Sequence, residues 1–239
     1  MVRIAKKTNE NLTTFATNEA PPFDVLHEDE HILVIDKPSG LVVHPAEGHP
    51  DSTLLDRLNR QDGQHSIVHR LDKETSGCLV VAKHDRAHAV LTDQFEHRRI
   101  RKLYLAAVDG VPMQPWGHIE NRIGSHPFDR KRMAVLFDGT GKTAVTDWEI
   151  QREHLGSALI LCTLRTGRTH QIRVHLRDVL QCPILGDTLY GYPPAQRIPV
   201  DRLLLHAWKL AFDHPLTQRR MEFEAAIPVE FSPWLAVEG

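Results

Sequence analysis

The amino-acid sequence predicts an α+β fold with a mixed, largely antiparallel central sheet flanked by helices and loops. The first observation behind this prediction is a series of short runs of β-branched and aliphatic residues, each bounded by turn residues. The second is that only two stretches have apolar residues at helical spacing, so strands and helices do not alternate as in parallel βαβ proteins. With 239 residues, of which 41% are hydrophobic and 25% charged, the chain can bury a substantial core.

The chain divides into a polar lead-in, residues 1–23, and a single predicted domain, residues 24–239. The lead-in lacks the apolar stretch followed by small residues that marks a secretory signal, and its composition is typical of a flexible segment. No apolar run in the chain approaches the roughly 20 residues that a membrane span needs. We therefore expect a cytoplasmic protein.

The first predicted element is a hairpin, VLHEDEHILVIDKP at residues 25–38, in which two β-rich runs enclose an acidic turn. Two further β runs follow, GLVVHP at 40–45 and CLVVAK at 78–83. Between them lies the loop HRLDKETSG at 69–77, which ends in a predicted Thr-Ser-Gly turn. A helix is predicted next, over about residues 85–99, with Asp85 as its N-terminal cap. Its buried face is expected to consist of Ala87, Val90, Leu91, Gln94 and Phe95.

Strands predominate again in the second half of the chain. Three are predicted in succession: KLYLAAVDG at 102–110, TAVTDWEIQRE at 143–153 and SALILCTLRTG at 157–167. A second helix, RTHQIRVHLRDVL at 168–180, is entered through Thr169, and its apolar face is Ile172, Leu176, Val179 and Leu180. RLLLHAWKLAFDHP at 202–215 and RMEFEAAIP at 220–228 form a closing pair of strands.

The charge of the chain is unevenly distributed, although the formal net charge is only −2. Residues 98–132 contain eight Lys or Arg and three Asp or Glu, and residues 165–177 contain four Arg and no acid. A solvated surface is the ordinary explanation for such a run, and contact with nucleic acid is the alternative.

Metal, phosphate-loop and serine-hydrolase chemistry find no support in the motifs. The three cysteines form no CxxC pair and are expected to be buried thiols, and His170 and His175 lack the spacing of a helical zinc pair. GTGKT at 139–143 has Leu136 where a phosphate-binding loop needs glycine, so it predicts a turn. No GxSxG sequence is present. We expect neither a metal nor a cofactor.

The stretch HRLDKETSG carries the best candidate for a reactive group. Asp72 is expected on a loop between two ordered elements, where protein scaffolds commonly hold reactive side chains. Taken alone, an Asp at this place more often caps a turn by accepting hydrogen bonds from nearby amides. The order of motifs in the whole chain decides between these interpretations.

Five motifs follow one another between about residues 24 and 228. They are ILVIDKPSGLVVHP at 32–45, HRLDKETSG at 69–77, KLYLAAV at 102–108, TGRTHQIRVHLRDVLQCPILGD at 166–187 and LLLHA at 203–207. In sequence and order they resemble the motifs of the RluA-type pseudouridine synthases. The resemblance implies the catalytic fold of that family and the isomerisation of uridine to pseudouridine within RNA, without metal or cofactor.

The resemblance also assigns roles to particular residues. Asp72 falls on the catalytic aspartate of the family, and Arg70 on the arginine that fills the space left in the RNA helix by the flipped base. Tyr104 matches the tyrosine that stacks on the target uracil. Arg173 matches the arginine paired with the catalytic carboxylate, and Leu205 a leucine that lines the pocket.

Two departures from the family pattern limit the resemblance. Cys182 stands where relatives often carry histidine, and the short polar lead-in cannot form the small RNA-binding domain that many relatives have there. RNA choice is therefore expected to rest on the catalytic domain. We expect a monomer that binds a stem-loop of ribosomal or transfer RNA. The predicted phosphate contacts are Arg98, Arg99, Arg101, Lys102, Arg130, Lys131, Arg132 and Arg168.

Physical chemistry supports these roles independently of the family. Breaking the bond between uracil and ribose requires an anion near the sugar, either as a nucleophile or as a stabiliser of developing positive charge. Burial would favour the neutral form of Asp72, whereas the nearby guanidinium of Arg173 favours the ionised form. Extruding the base costs a few kcal/mol, and stacking on Tyr104 can recover about 1–3 kcal/mol.

Several alternatives stay open at the level of sequence. Asp72 can attack C1′ of the ribose or remove a proton from the sugar, and the phenol of Tyr104 can take part in proton transfer at C5. A non-catalytic RNA-binding or assembly factor on the same fold is the main functional alternative. A histidine-rich, metal-dependent hydrolase is a third.

Overall fold

A computed structural model describes residues 23–44, 53–59 and 64–235 of the chain. Within these ranges the strands are β1 (Asp24–Glu28), β2 (Ile32–Lys37), β3 (Ser66–Ile67), β4 (Ser76–Ala82), β5 (Arg101–Asp109), β6 (Trp116–Ser125), β7 (Met133–Val135), β8 (Lys142–His154), β9 (Ser157–Leu164), β10 (Leu205–Asp213) and β11 (Arg220–Glu224). The helices are α1 (Leu54–Asn59), α2 (Asp85–Glu96), α3 (Gln171–Val174) and α4 (Ser232–Leu235), and a π-helical turn, His175–Val179, continues α3.

All of these strands belong to one sheet, whose main order is β1-β2-β4-β10-β5-β9-β8-β6-β7, with β3 paired to β4 and β11 paired to β10. The pairing of β4 with β10 is parallel, and the other named pairings are antiparallel. The predicted α+β class with a mixed, largely antiparallel sheet is therefore confirmed.

The central strands are buried on both faces, which explains their nearly continuous apolar sequences. In β2, Leu33 and Ile35 point into the larger core, whereas Ile32 and Val34 point to the opposite face, where α2 contributes Leu91. Side chains of a strand alternate between its two faces, so one strand can serve both cores. The thiols of Cys78, Cys162 and Cys182 are buried in these cores, as predicted.

Gly77 brings β10 against the segment that carries Asp72. Its φ is +112°, and a Cβ atom at this position would lie 2.3 Å from the carbonyl oxygen of Ala207 in β10. Only glycine permits this approach of two backbones. The predicted Thr-Ser-Gly turn is wrong in this respect, because Ser76 and Gly77 already belong to β4. The close parallel pairing fixes the start of β4 and, with it, the end of the preceding loop.

The N-terminal hairpin is confirmed as β1 and β2, but the predicted β run at 40–45 is not a strand where the structure describes it. Leu41 and Val43 are buried in a loop, and carbonyl groups of this loop accept hydrogen bonds from the first amides of α1. The amide of Leu54 donates to Val42 at 2.8 Å, and that of Leu55 to Val43 at 3.2 Å. The predicted lead-in lies outside the described residues except for Phe23, which is buried against the larger core.

The first predicted helix begins where expected and ends earlier, at Glu96 instead of residue 99. Its cap is His84 rather than Asp85, because Nδ1 of His84 accepts a hydrogen bond from the amide of Ala87 at 3.2 Å. At the other end Arg98 has a φ of 57°, a left-handed conformation that cannot continue the helix.

The second predicted helix starts at Gln171 and widens into the π-helical turn after four residues. Ile172 and Leu176 are buried as predicted, but Val179 is exposed because the wider turn rotates it away from the core. Sequence reasoning missed α1, β3, β6, β7 and α4. The turn predicted at GTGKT is present before β8, and its glycines Gly139 and Gly141 have positive φ.

Candidate active site

A pocket of about 410 Å³ lies where the β3–β4 loop, the end of α2 and the start of α3 meet the middle of the sheet. The residues assigned to the active site by sequence come from four separate segments of the chain, and all of them line this pocket: Arg70, Asp72, Tyr104, Arg173 and Leu205. Their convergence is a property of the fold, since β5 and β10 are adjacent in the sheet.

A fully buried lysine holds the loop that carries Asp72. Nζ of Lys37 donates to the carbonyl oxygens of Pro38 at 2.8 Å, Leu41 at 3.0 Å and Lys73 at 3.0 Å. Burial lowers the pKa of Lys37 to about 7, although the negative charge of Asp72 opposes this shift. Three carbonyl acceptors match the three donors of an ammonium group, so the lysine ties the turn after β2 to the residue next to Asp72.

Arg173 is held by two carboxylates. Its Nε and Nη2 each donate to Asp187 at 2.8 Å, and its Nη1 lies 3.6 Å from Oδ2 of Asp72. Burial opposes the charge of Arg173, but the hydrogen-bonded Asp187 raises its pKa above the ordinary value. Oδ1 of Asp187 also accepts from the amides of Leu189 and Tyr190. The arginine is thus fixed by Asp187 and presents its remaining nitrogen to Asp72.

Tyr104 and Leu205 form apolar walls of the pocket and are 8% and 4% exposed. Burial raises the pKa of the Tyr104 phenol, and the nearby carboxylate of Asp72 raises it further. Loss of the phenolic proton is therefore disfavoured, which argues against Tyr104 as a base. Its ring face is the feature suited to a planar ligand.

Sequence reasoning missed three residues that order this site. Asp187 is the last residue of the fourth motif and has the buried pairing described above. His170 has Nε2 at 4.0 Å from Oδ2 of Asp72 and Nδ1 at 2.8 Å from the hydroxyl of Tyr190. The guanidinium of Arg173 lies over the ring of Tyr190, 5.0 Å from its centroid. His170 and Asp187 belong to the fourth motif, which gave no indication of their contacts, and Tyr190 lies three residues beyond it, so no motif signalled it.

Three of the predicted phosphate contacts, Arg98, Lys102 and Arg168, line the pocket beside Arg70. Lys102 donates to the carbonyl oxygen of Thr166 at 3.2 Å, and burial, together with Arg168 and Arg98, lowers its pKa to about 8. Nε of Arg168 donates to a backbone carbonyl at 2.8 Å. These three groups give the pocket positive charge. Arg70 adds a fourth basic group, which is exposed at the rim of the pocket.

The other predicted phosphate contacts do not line the pocket. Arg99 forms an ion pair with Asp93, and Arg101 is exposed at the start of β5. The remaining three, Arg130, Lys131 and Arg132, lie in the loop between β6 and β7. We name residues 122–142 the β7 arm. It contains five Lys or Arg and two Asp.

The β7 arm also exposes two aromatic side chains. Phe128 and Phe137 lie in the loops before and after β7, and each is 94% exposed. The arm is tied to the pocket through Tyr190, whose hydroxyl accepts from the amide of Met133 at 2.8 Å and whose ring lies 5.3 Å from the guanidinium of Arg132. Exposed aromatic and basic groups together are typical of surfaces that contact unpaired nucleic acid.

No group of three or more His, Cys, Asp or Glu side chains among the described residues is arranged to hold a metal ion. None of the helices in the described ranges combines the length and apolar character of a membrane span.

Comparisons with known proteins agree on one family. Residues 31–178 match the family described as RNA pseudouridylate synthase. Ribosomal large subunit pseudouridine synthase D of Zymomonas mobilis is 41% identical, over 87% of this chain and 70% of its own length. The protein of the same name from Neisseria meningitidis is 40% identical, over 99% and 66%. Among solved structures, human RNA pseudouridylate synthase domain containing 4 superposes with a TM-score of 0.71 at 29% identity, covering 87% of this chain and 90% of that chain.

Proposed function

The chain belongs to the RNA pseudouridylate synthase family, and on that premise we propose that it isomerises uridine in the RNA of the large ribosomal subunit, with Asp72 as its catalytic residue. The observation that carries this proposal is the carboxylate of Asp72 in a pocket with Arg173 3.6 Å away and Tyr104 and Leu205 as walls. The names of the relatives favour ribosomal over transfer RNA. No observation favours the non-catalytic alternative or a metal-dependent hydrolase.

In the proposed reaction the target uridine leaves the RNA stack and enters the pocket. Arg70, exposed at the rim, is suited to fill the vacated space, and the ring of Tyr104 to stack on the uracil. Asp72 then acts at the ribose while the bond from C1′ to N1 breaks. The uracil rotates, C5 bonds to C1′, the hydrogen on C5 leaves as a proton to water, and N1 takes up a proton from water. No atom is gained or lost by the RNA apart from this exchanged hydrogen.

Tritium release from RNA labelled at C5 of uracil tests the reaction. We expect release from large-subunit ribosomal RNA transcripts with the wild type and none with Asp72→Asn, whose RNA affinity should stay within severalfold. Transfer RNA transcripts serve as the comparison substrate. Comparable release by Asp72→Asn would remove Asp72 from the mechanism, and release from transfer RNA alone would contradict the proposed substrate.

We further propose that the β7 arm binds unpaired nucleotides of the substrate. The arm combines the exposed rings of Phe128 and Phe137 with the basic loop between β6 and β7. Stacking of a base on an aromatic side chain contributes about 1–3 kcal/mol. Phe128→Ala/Phe137→Ala should therefore weaken RNA binding at least fivefold, roughly the lower end of that range.

The matched control for the arm is Trp116→Ala. Trp116 is 70% exposed and begins β6, about 30 Å along the strand from the loop that holds Phe128. We expect its removal to leave the RNA dissociation constant unchanged. Equal affinities for the double variant and the wild type would exclude stacking on the arm.

Domain extent, assembly and location form the last part of the proposal. One sheet and the three hydrophobic clusters packed on it run through the described residues, which supports a single catalytic domain over residues 24–239. We propose a monomer, to be checked by light scattering, and a cytoplasmic location, which the ribosomal names of the relatives support.

A further inference from the structure

His170 lies at the entrance to α3 with an unusual backbone. Its φ of 55° and ψ of 20° are left-handed, a conformation that is uncommon for residues other than glycine and that Asn, Asp and His adopt more readily than the rest. The side chain is 18% exposed and lines the pocket. Strained residues at pockets persist where the surrounding structure holds them in place, and here the ring is held at Nδ1 by its hydrogen bond with the hydroxyl of Tyr190.

The hydrogen bonds of Tyr190 favour one position for the proton on the His170 ring. The hydroxyl of Tyr190 accepts from the amide of Met133 at 2.8 Å, so its own proton is free to be donated to Nδ1 of His170, also at 2.8 Å. Nδ1 is then an acceptor, and the proton of the neutral imidazole lies on Nε2. Burial lowers the pKa of His170, although Asp72 opposes the shift, and a neutral ring agrees with this arrangement.

Both polar neighbours of Asp72 address the same carboxylate oxygen. Nη1 of Arg173 lies 3.6 Å and Nε2 of His170 4.0 Å from Oδ2. Both distances exceed a hydrogen bond, and catalytic contacts commonly tighten when substrate binds.

We propose that His170 is a positioning residue that Tyr190 fixes with its proton on Nε2, and that it donates to Oδ2 of Asp72 when RNA fills the pocket. Together with Arg173 it turns Oδ1 toward the sugar. This inference rests on the proposed role of Asp72. The charged and titratable groups that face the ring are Asp72, Arg173, Asp187, Arg70 and Tyr190.

Two amide variants of His170 separate its two hydrogen bonds. His170→Asn suits the left-handed backbone, and its amide oxygen can replace Nδ1 as the acceptor for Tyr190, but it places no donor where Nε2 was. His170→Gln extends one carbon further and can place its amide nitrogen near the former Nε2. A merely structural role would favour the Asn variant, and the donor role favours the Gln variant.

Single-turnover formation of pseudouridine at saturating RNA is the main measurement, with RNA affinity and thermal stability measured in parallel. We expect His170→Asn to be about 10- to 100-fold slower than the wild type, as for the loss of one hydrogen bond to a charged group. His170→Gln should recover most of the rate, and RNA affinity should stay within about threefold in both. Wild-type rates in His170→Asn, or equal losses in both variants, would overturn the donor role.

The position of the ring proton gives a readout that needs no activity. Nitrogen-15 spectra of protein labelled in its histidine side chains should find the proton of His170 on Nε2 in the wild type, and on either nitrogen in Tyr190→Phe. A proton on Nδ1 in the wild type would overturn the inference even in an active enzyme. Failure of the wild type to modify any RNA would instead contradict the proposed function, and the spectra would still decide the protonation of His170.

Discussion

Asp187→Asn removes the charge opposite Arg173 while keeping almost the same shape. In the native protein, Oδ1 of Asp187 accepts from Nη2 of Arg173 and from the amides of Leu189 and Tyr190, and Oδ2 accepts from Nε of Arg173. The asparagine oxygen can keep the Oδ1 contacts. Its NH₂ group must then face the N–H of Arg173, so two donors oppose each other in a buried place.

The expected loss of stability follows from that geometry. Removing one partner of a buried ion pair typically costs 3–5 kcal/mol. Asp72, 3.6 Å from Nη1, remains as a second carboxylate for Arg173, so we expect about 3 kcal/mol, at the lower end of the range. For a chain of this length that corresponds to a fall in Tm of about 6–12 °C. The rate should fall as well, because the orientation of Arg173 toward Asp72 is no longer fixed.

Urea unfolding and tritium release measure the two effects. The control is Asp147→Asn, since Asp147 also accepts from the Nε of an arginine, Arg165, at 2.7 Å, but is 32% exposed whereas Asp187 is fully buried. Exposed pairs contribute about 0–1 kcal/mol, so this variant should remain close to the wild type. Equal stability of the two variants would refute the argument that the buried carboxylate holds Arg173.

Three further predictions concern Arg173, the β7 arm and the buried His175. Arg173→Lys should slow single-turnover conversion strongly, because a point ammonium cannot replace a planar fork; an undiminished rate would mean that Arg173 does not serve Asp72. Arg130→Ala should reduce the magnitude of the slope of log affinity against log salt concentration by about 0.7–0.9, as expected for the loss of one phosphate contact. An unchanged slope would mean that Arg130 contacts no phosphate. Burial lowers the pKa of His175 from 6.5 to about 4. The unfolded chain therefore binds more protons between these values, and stability should fall by up to about 3 kcal/mol as the pH drops from 6.5 to 4. Between pH 6.5 and pH 4 the urea midpoint of His175→Gln should therefore fall less than that of the wild type. The same pH dependence in both proteins would exclude His175 as the source of the loss of stability.

Much of the site could be predicted because its residues lie in motifs whose order is readable. Asp72, Tyr104, Arg173 and Leu205 were assigned from four such motifs, and their side chains do line one pocket. The strands of the core could be predicted equally well, because burial on both faces gives them long apolar sequences.

The partners of those residues depend on tertiary contacts that no local pattern encodes. From its sequence spacing, His170 is considered only as a metal ligand. Its hydrogen bond with Tyr190 joins residues 20 positions apart, so no local pattern indicates it. β6 was missed because it is rich in polar side chains, with Ile119 and Ile123 as its buried residues. The exposure of Val179 follows from the π-helical turn, which changes the helical period on which the prediction relied.

The place of β10 in the sheet bears on how the protein is made. β10 lies between β4 and β5, and it meets β4 at residues that are 130 positions apart in the chain. A ribosome must therefore synthesise most of the chain before the centre of the sheet can close. Until then β4 and β5 each present an open edge to other chains in the cell. The enzyme acquires its pocket wall at Leu205 in the same late step, so an unfinished chain is at once aggregation-prone and inactive.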